Sequence, residues 1–253
     1  MANAESDAVT VARLFVGETL AAGAEILLDA DRAHYLRNVL RLKSGDAIAL
    51  FNGRDGEWRA RIASFGRRDA RLTVATPSRP QRAAPDLWLA FAPIKRQRVD
   101  WLVEKATELG VASIQPVTAA RSVLRLKGER ADKKIAHWRG IAIAACEQCG
   151  RNRVPVIHEL LDFADWAASL RAQAADTPGA RLLLSLRPAS LALSQALPAT
   201  GAVTLLNGPE GGLSPAEEEA ALAGGFVPVS LGPRVLRAET APIAALAALT
   251  LQP

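Results

Sequence analysis

The chain has 253 residues, of which 49% are hydrophobic and 23% charged, and it carries 31 Lys and Arg against 26 Asp and Glu for a formal net charge of +5. That composition fits one large or two ordinary globular domains with a sizeable core and excludes a disordered chain. No apolar run approaches eighteen uncharged residues, so no membrane span is expected. The N-terminus, with Glu5 and Asp7 and no basic stretch, does not read as a secretory signal, which makes the cytoplasm the expected location.

Charge is unevenly spread. Ala30 to Arg153 hold 25 Lys or Arg against 12 Asp or Glu (25 − 12 = +13), while the segments on either side each carry −4. A basic centre of that size suits a phosphate backbone. Surface charges dispersed in space would give the same totals.

In chain order, Arg13–Val16, Glu25–Leu28, Ala47–Phe51, Glu57–Ser64 and Arg71–Ala75 read as short strands separated by turns, the pattern of a small β-barrel or sandwich. Asp31 to Leu40 has helical spacing within it. Thr76 to Pro85, with three prolines and no apolar periodicity, reads as an interdomain linker. From Leu87 strand and helix alternate: strands at Leu87–Ala92, Ser113–Val117, Arg181–Leu186, Val203–Leu206 and Val227–Leu231, and helices at Val99–Leu109 and Glu129–Cys146. Such alternation predicts an α/β fold with a mostly parallel sheet and helices on both faces.

Two segments near the C-terminus carry the most information. NGPEGGLSPAEEE, Asn207 to Glu219, and LGPRVLRAETAPIAAL, Leu231 to Leu246, each follow an apolar strand and lead into helical sequence. In parallel α/β sheets such loops converge on one crevice where ligands bind. Neither loop matches a dinucleotide or P-loop fingerprint. Within the first, Ser214, Pro215 and Glu217 spell an N-cap, a proline at the first helical position and a capping box.

GPEGG followed some twenty residues later by LGPRVLRAET resembles the SPOUT class of methyltransferases. Together with LRNVLRLKSGD from Leu36, VEKATELGV from Val103 and IAIAACEQCGRNRVP from Ile141, it resembles the bacterial 16S ribosomal RNA uridine N3-methyltransferase family (RsmE) over roughly residues 12 to 250. The resemblance implies a PUA-like RNA-binding barrel in residues 1–76, a linker in 77–85 and a SPOUT domain with a C-terminal trefoil knot in 86–253. It further implies S-adenosylmethionine as cofactor, small-subunit 16S rRNA as partner and substrate, and a homodimer with the site near the interface.

Carried onto this chain, the cofactor would meet Leu184 after the first knot strand, Asn207, Gly208, Pro209, Glu210, Gly211 and Gly212 in the second loop, and Leu231, Gly232, Val235, Leu236, Arg237 and Thr240 in the third. Methylating N3 of a uracil requires loss of the imide proton and stabilisation of charge on the flanking carbonyls. Arg234, Arg237 and Glu239, three ionisable groups within six residues, are the candidates for that chemistry. Glu210 is the rival base, since burial between Pro209 and Gly211 would raise its pKa toward neutrality. The sequence leaves the two carboxylates open. The pairing edge of uracil must also be free, so single-stranded or distorted RNA is implied.

For RNA contact, the sequence offers Arg13, His34, Arg37, Asn38 and Arg41 in the first domain, Lys95 and Arg96 after the Leu87–Ala92 strand, and Gln148, Arg151 and Arg153 after the long helix. Cys146 and Cys149 form a lone CxxC without a second pair, and His34, His137 and His158 lack ligand spacing, so no metal site is expected. Ala120 stands where the family carries a glutamate before Arg121 and Ser122, and Ala241 and Pro242 depart from the family after Thr240. Two other functions remain open at this level: a knotted ribose 2′-O-methyltransferase, and a non-catalytic ribosome-assembly factor that keeps the fold and binds RNA.

Overall fold

The computed structural model describes residues 12–83, 86–94, 96–172, 179–197 and 201–250. The chain divides into two compact units, Met1–Ala83 with Cys146–Arg153, and Ala84–Ala145 with Val154–Pro253.

The first unit is a five-stranded sheet. Strands β3 (Ala47–Phe51), β4 (Glu57–Phe65) and β5 (Ala70–Arg79) form an antiparallel meander, with β1 (Arg13–Phe15) parallel to β3 at one side and β2 (Glu25–Leu28) antiparallel to β5 at the other. Alternate residues, among them Leu14, Ile26, Ile48, Leu50, Ile62 and Leu72, are buried in one core. The expected helix at Asp31–Leu40 begins as α1 (Ala30–His34), capped by the Asp29 side chain on the Arg32 N–H, and continues as a π-helical turn over Tyr35–Val39. It ends at Arg41, whose φ of 58° is the one left-handed non-glycine conformation among the described residues.

The linker expected from Thr76 begins later than the prolines suggested. Strand β5 runs to Arg79, pairing with β4 as far as Glu57. Because β2 covers β5 only over Ala70 to Thr73, the opposite edge of Thr76–Arg79 is open, and there a proline without an N–H is tolerated.

The second unit is the expected parallel sheet. Strands β6 (Leu87–Phe91), β7 (Ser113–Thr118), β8 (Val156–Ile157), β9 (Leu161–Asp162), β10 (Gly179–Leu184), β11 (Leu191–Ala192), β12 (Ala202–Asn207) and β13 (Val227–Ser230) are joined by helices α2 (Arg96–Glu108), α3 (Glu129–Cys149), α4 (Phe163–Ala172), α5 (Leu193–Ala196), α6 (Pro215–Ala223) and α7 (Thr240–Thr250). The order is β11-β13-β10-β12-β6-β7-β8, with β9 beside β7, and every pairing is parallel. Period-two alternation feeds two cores. Leu89, Leu182 and Leu205 point to one face with Val103, Trp138 and Leu246, whereas Ala90, Leu183 and Leu206 point to the other with Phe163, Trp166 and Ala221. Continuous apolar runs are what a strand covered on both faces requires.

After β13 the chain turns back past β10, and α7 packs against β12 and α2. Pro242 lies buried in the first turn of α7, where its missing N–H has no helical partner to lose. Ser214 caps α6 as expected: its side chain accepts from the Glu217 N–H at 3.3 Å, and Glu217 returns a bond to the Ser214 N–H at 2.8 Å. The same glutamate reaches further, accepting from the Ala120 N–H at 2.6 Å.

One charged network sits inside the first unit. Glu57, 9% exposed, is held by Arg13 at 2.7 Å, by Arg79 and by Ser78. Burial alone would push its carboxyl up, but the Arg79, Arg13 and Ser78 hydrogen bonds outweigh that and hold it at about 2 against an ordinary 4.5. A depressed folded-state pKa stabilises above the unfolded value and is lost as pH falls through the folded one. Stability from Glu57 is therefore complete above pH 4.5 and drains away between 4.5 and about 2. Urea midpoints at about pH 6 and about pH 3 should converge in Glu57→Gln relative to the native chain. Separately, Ser214→Ala should lower unfolding stability by about 1 kcal/mol in the same assay while leaving ligand binding intact.

Candidate active site

Three loops leave the carboxyl ends of β10, β12 and β13, which are neighbours in the sheet, and enclose a cleft of about 300 Å³. From the first come Leu184, Ser185 and Leu186; from the second, Asn207, Gly208, Pro209, Glu210 and Gly212; from the third, Leu231, Gly232, Arg234, Val235 and Leu236. Backbone runs close to the cleft because Gly212 and Gly232 hold φ of 69° and 101°, a region that side chains with a Cβ seldom enter. At Gly208 an added Cβ would stand 3.2 Å from the Leu213 side chain and backbone.

Asn207 ties two of these loops together. It is buried at the last position of β12, and its amide nitrogen donates to the Gly208 carbonyl at 3.0 Å and to the Ala238 carbonyl at 2.8 Å. A second brace is Arg121, in the loop after β7, whose guanidinium donates to Gly211 O at 3.0 Å and Leu213 O at 3.2 Å and also lines the cleft. Sequence reasoning did not place Arg121 in the site. Its one signal was the Arg121-Ser122 pair, and Ser122 is buried with its hydroxyl accepting from the Ala119 N–H.

The expected catalytic cluster separates in space. Arg234 lines the cleft, whereas Arg237 and Thr240 are exposed and do not line it. Glu239 turns to α2, where it pairs with Arg98 at 3.3 Å, and its side chain is only 12% exposed. Its second carboxylate oxygen is buried without a partner among the described residues. Glu210 lines the cleft but is exposed, so the burial expected for it between Pro209 and Gly211 is absent. Val235 is not a core residue: it is 76% exposed, and Leu186 across the cleft is 74% exposed. The walls therefore combine open apolar groups, glycine backbone and a few charges, a donor set that fits a flat heterocycle with a polar tail.

The RNA-contact candidates also divide. Arg13 is an internal residue, 15% exposed, donating to Glu57, the Cys146, Glu147 and Arg151 carbonyls and Asn152. Its guanidinium is consumed by anchoring segment 146–153 to the five-stranded sheet, which removes it from an RNA track. Arg79 reinforces that anchor on Gly150 O and Asn152. Arg151 is largely withdrawn from water, and burial lowers its pKa, while Gln148 and Arg153 are exposed. On the π-helical turn, Arg37 lies over the Phe65 ring and donates to Gly66 O; His34 and Asn38 bond each other at 2.8 Å, and Arg41 is exposed. Lys95 lies outside the described residues, and Arg96 opens α2. Burial pushes the Cys146 thiol up to about 12, and it donates to the Arg153 carbonyl, so the CxxC has no reactive thiolate at that position. No metal-ligand cluster occurs among the described residues.

Residues 81–250 match the RNA methyltransferase domain family, and residues 28–75 match the RNA methyltransferase PUA domain family. The ribosomal RNA small subunit methyltransferase E of Bacillus subtilis is 31% identical, with 89% of each chain covered. The crystal structure of that methyltransferase from Neisseria gonorrhoeae bound to S-adenosyl methionine superposes with a TM-score of 0.84 at 33% identity, covering 94% of this chain and 96% of the other. A methyltransferase from Legionella pneumophila in complex with the same cofactor gives 0.84 at 32%, covering 96% and 97%. With the two-unit fold and the three-loop cleft, these likenesses establish that the chain belongs to the ribosomal RNA small subunit methyltransferase E family of RNA methyltransferases.

Proposed function

We propose that this chain uses S-adenosylmethionine to methylate N3 of a uridine in 16S rRNA of the small ribosomal subunit. The observation that carries the reading is the three-loop cleft, in a fold shared with two methyltransferases whose structures hold the cofactor. The crossing of the 231–239 segment past β10, tied to β12 by Asn207, supports a trefoil knot. The open Leu186 and Val235 at the cleft mouth suit a ligand and a second copy that cover them, in keeping with a homodimer.

The cofactor, when bound, supplies an electrophilic methyl group. Backbone of the second and third loops holds it by shape, with Gly208, Gly212 and Gly232 keeping the wall low and Leu184, Leu231 and Leu236 flanking it. Glu210, at the mouth and free of protein partners among the described residues, takes the proton from the imide nitrogen. Arg234, on the same cleft, stands ready beside a uracil carbonyl that gains negative charge. Glu239, held by Arg98, braces the start of α7. The exposed faces around Arg37, Asn38 and Arg41 and around Gln148 and Arg153 contribute phosphate contacts.

Labelled methyl transfer to unmodified small subunits, free rRNA and tRNA, followed by nucleoside mass spectrometry, tests the reading. Recovery of 3-methyluridine from small-subunit RNA is expected; label on ribose or on tRNA would overturn the assignment, and cofactor binding without transfer would favour an assembly factor. Single-turnover assays separate the carboxylates. Glu210→Gln should slow transfer by about a hundredfold or more, whereas Glu239→Gln should lower the melting temperature and leave the transfer rate within a few-fold of the native chain.

A further inference from the structure

A second cleft, of about 770 Å³, opens in the methyltransferase unit on the far side of the 119–121 loop from the first. That volume falls within the range of small-molecule sites, roughly 300–1,000 Å³. Its charged lining falls into two groups. Arg139, Asp162 and Glu217 are already used by the fold: Arg139 donates to Ile157 O, Asp162 accepts from the Ala164 N–H, and Glu217 closes the α6 capping box. Arg125, Lys127, Asp132 and Glu159 form no ion pair or side-chain hydrogen bond among the described residues, although two of each sign face one cavity. Between them lies an apolar floor that includes Leu126, Ile135 and Leu160.

Exposed charges of both signs around one cavity, above an apolar floor, suit a ligand bearing an anion at one end, a flat apolar body and N–H donors at its edge. A nucleotide has all three. Cations meet its phosphate without regard to sequence, apolar side chains pack on the base face, and a carboxylate accepts from an exocyclic amino group. That last feature favours adenine, cytosine or guanine over uracil.

The 119–121 loop contributes to the lining of both clefts. Ala119 and Ala120 line the second and Arg121 lines the first. The loop is fixed from three sides: Ser122 on the Ala119 N–H at 3.0 Å, Glu217 on the Ala120 N–H at 2.6 Å, and Arg121 on the Gly211 and Leu213 carbonyls. We propose that this cleft receives an unpaired, amino-bearing nucleotide of the RNA strand next to the methylated base, so that two adjacent nucleotides are splayed across the 119–121 loop. The proposal rests on the RNA methyltransferase reading above.

Steady-state methyl transfer to small-subunit RNA, with S-adenosylmethionine affinity measured by calorimetry, tests it in two variants. The double reversal Arg125→Glu with Lys127→Glu should raise KM for RNA at least tenfold, with cofactor affinity within twofold of the native chain, which also reports an intact fold. Glu159→Leu is the sharper variant, because it removes the acceptor and makes the protein more positive. General electrostatic attraction would lower KM for RNA, whereas loss of the base-edge acceptor should raise it several-fold. An unchanged or lowered KM in Glu159→Leu, or a native KM in the double reversal, would overturn the pocket while leaving the methyltransferase reading standing. A native chain that methylates none of the RNAs would overturn that reading and the pocket with it.

Discussion

The geometry of the site depends on one buried amide. Asn207 closes β12, the strand between β10 and β6, and its side chain bonds the carbonyl of its own loop and that of Ala238 in the third. That tie joins the Arg98–Glu239 pair and the packing of Leu231 and Ala238 on the core in locating the segment from Leu231 to Glu239. With it, the loops bearing Gly212 and Gly232 are held at a fixed separation, and the cleft between them keeps its shape. An Asn with both donors engaged in a buried setting is costly to replace, since an apolar substitute leaves two carbonyls without their partner.

The charge pattern has a more divided meaning than its total. Part of the +13 centre is spent within the first unit, where Arg79, joined by Arg13 from the acidic segment before it, surrounds Glu57 and binds the carbonyls of segment 146–153. That segment, with its CxxC and its two arginines, is the feature most easily read as a surface motif. In the structure it belongs to the first unit, and Cys146 is buried. Charges that remain outward, such as Arg41, Arg153, Arg125 and Lys127, are the ones available to RNA.

Much of this fold is legible in the sequence because its strands are apolar runs bounded by glycine and proline. Ala47–Phe51 and Glu25–Leu28 fall where periodicity puts them, and the parallel strands differ by a residue or two at their ends. Helix α4 escaped notice because Phe163–Ala172 is short, alanine-rich and follows a two-residue strand, leaving little periodicity to read. The prolines of Thr76–Pro85 hid the last turns of β5, since an open strand edge tolerates them. At the site, the three glycine loops were readable from composition, and the capping role of Ser214 and Glu217 from spacing. Which ionisable groups face the cleft was not readable, because Arg234, Arg237 and Glu239 lie on an irregular segment without a period to set their directions. Arg121 and the second cleft depend on contacts ninety residues apart in sequence, which no local pattern records.

The Asn207 tie shapes the cofactor site of the proposed reaction. Calorimetric titration of S-adenosylmethionine into the native chain and into Asn207→Leu, with circular dichroism to confirm the fold, tests this directly. At least tenfold weaker binding in a variant that keeps its helices and sheet is the predicted result. Native affinity in Asn207→Leu, or no binding by the native chain, would contradict it.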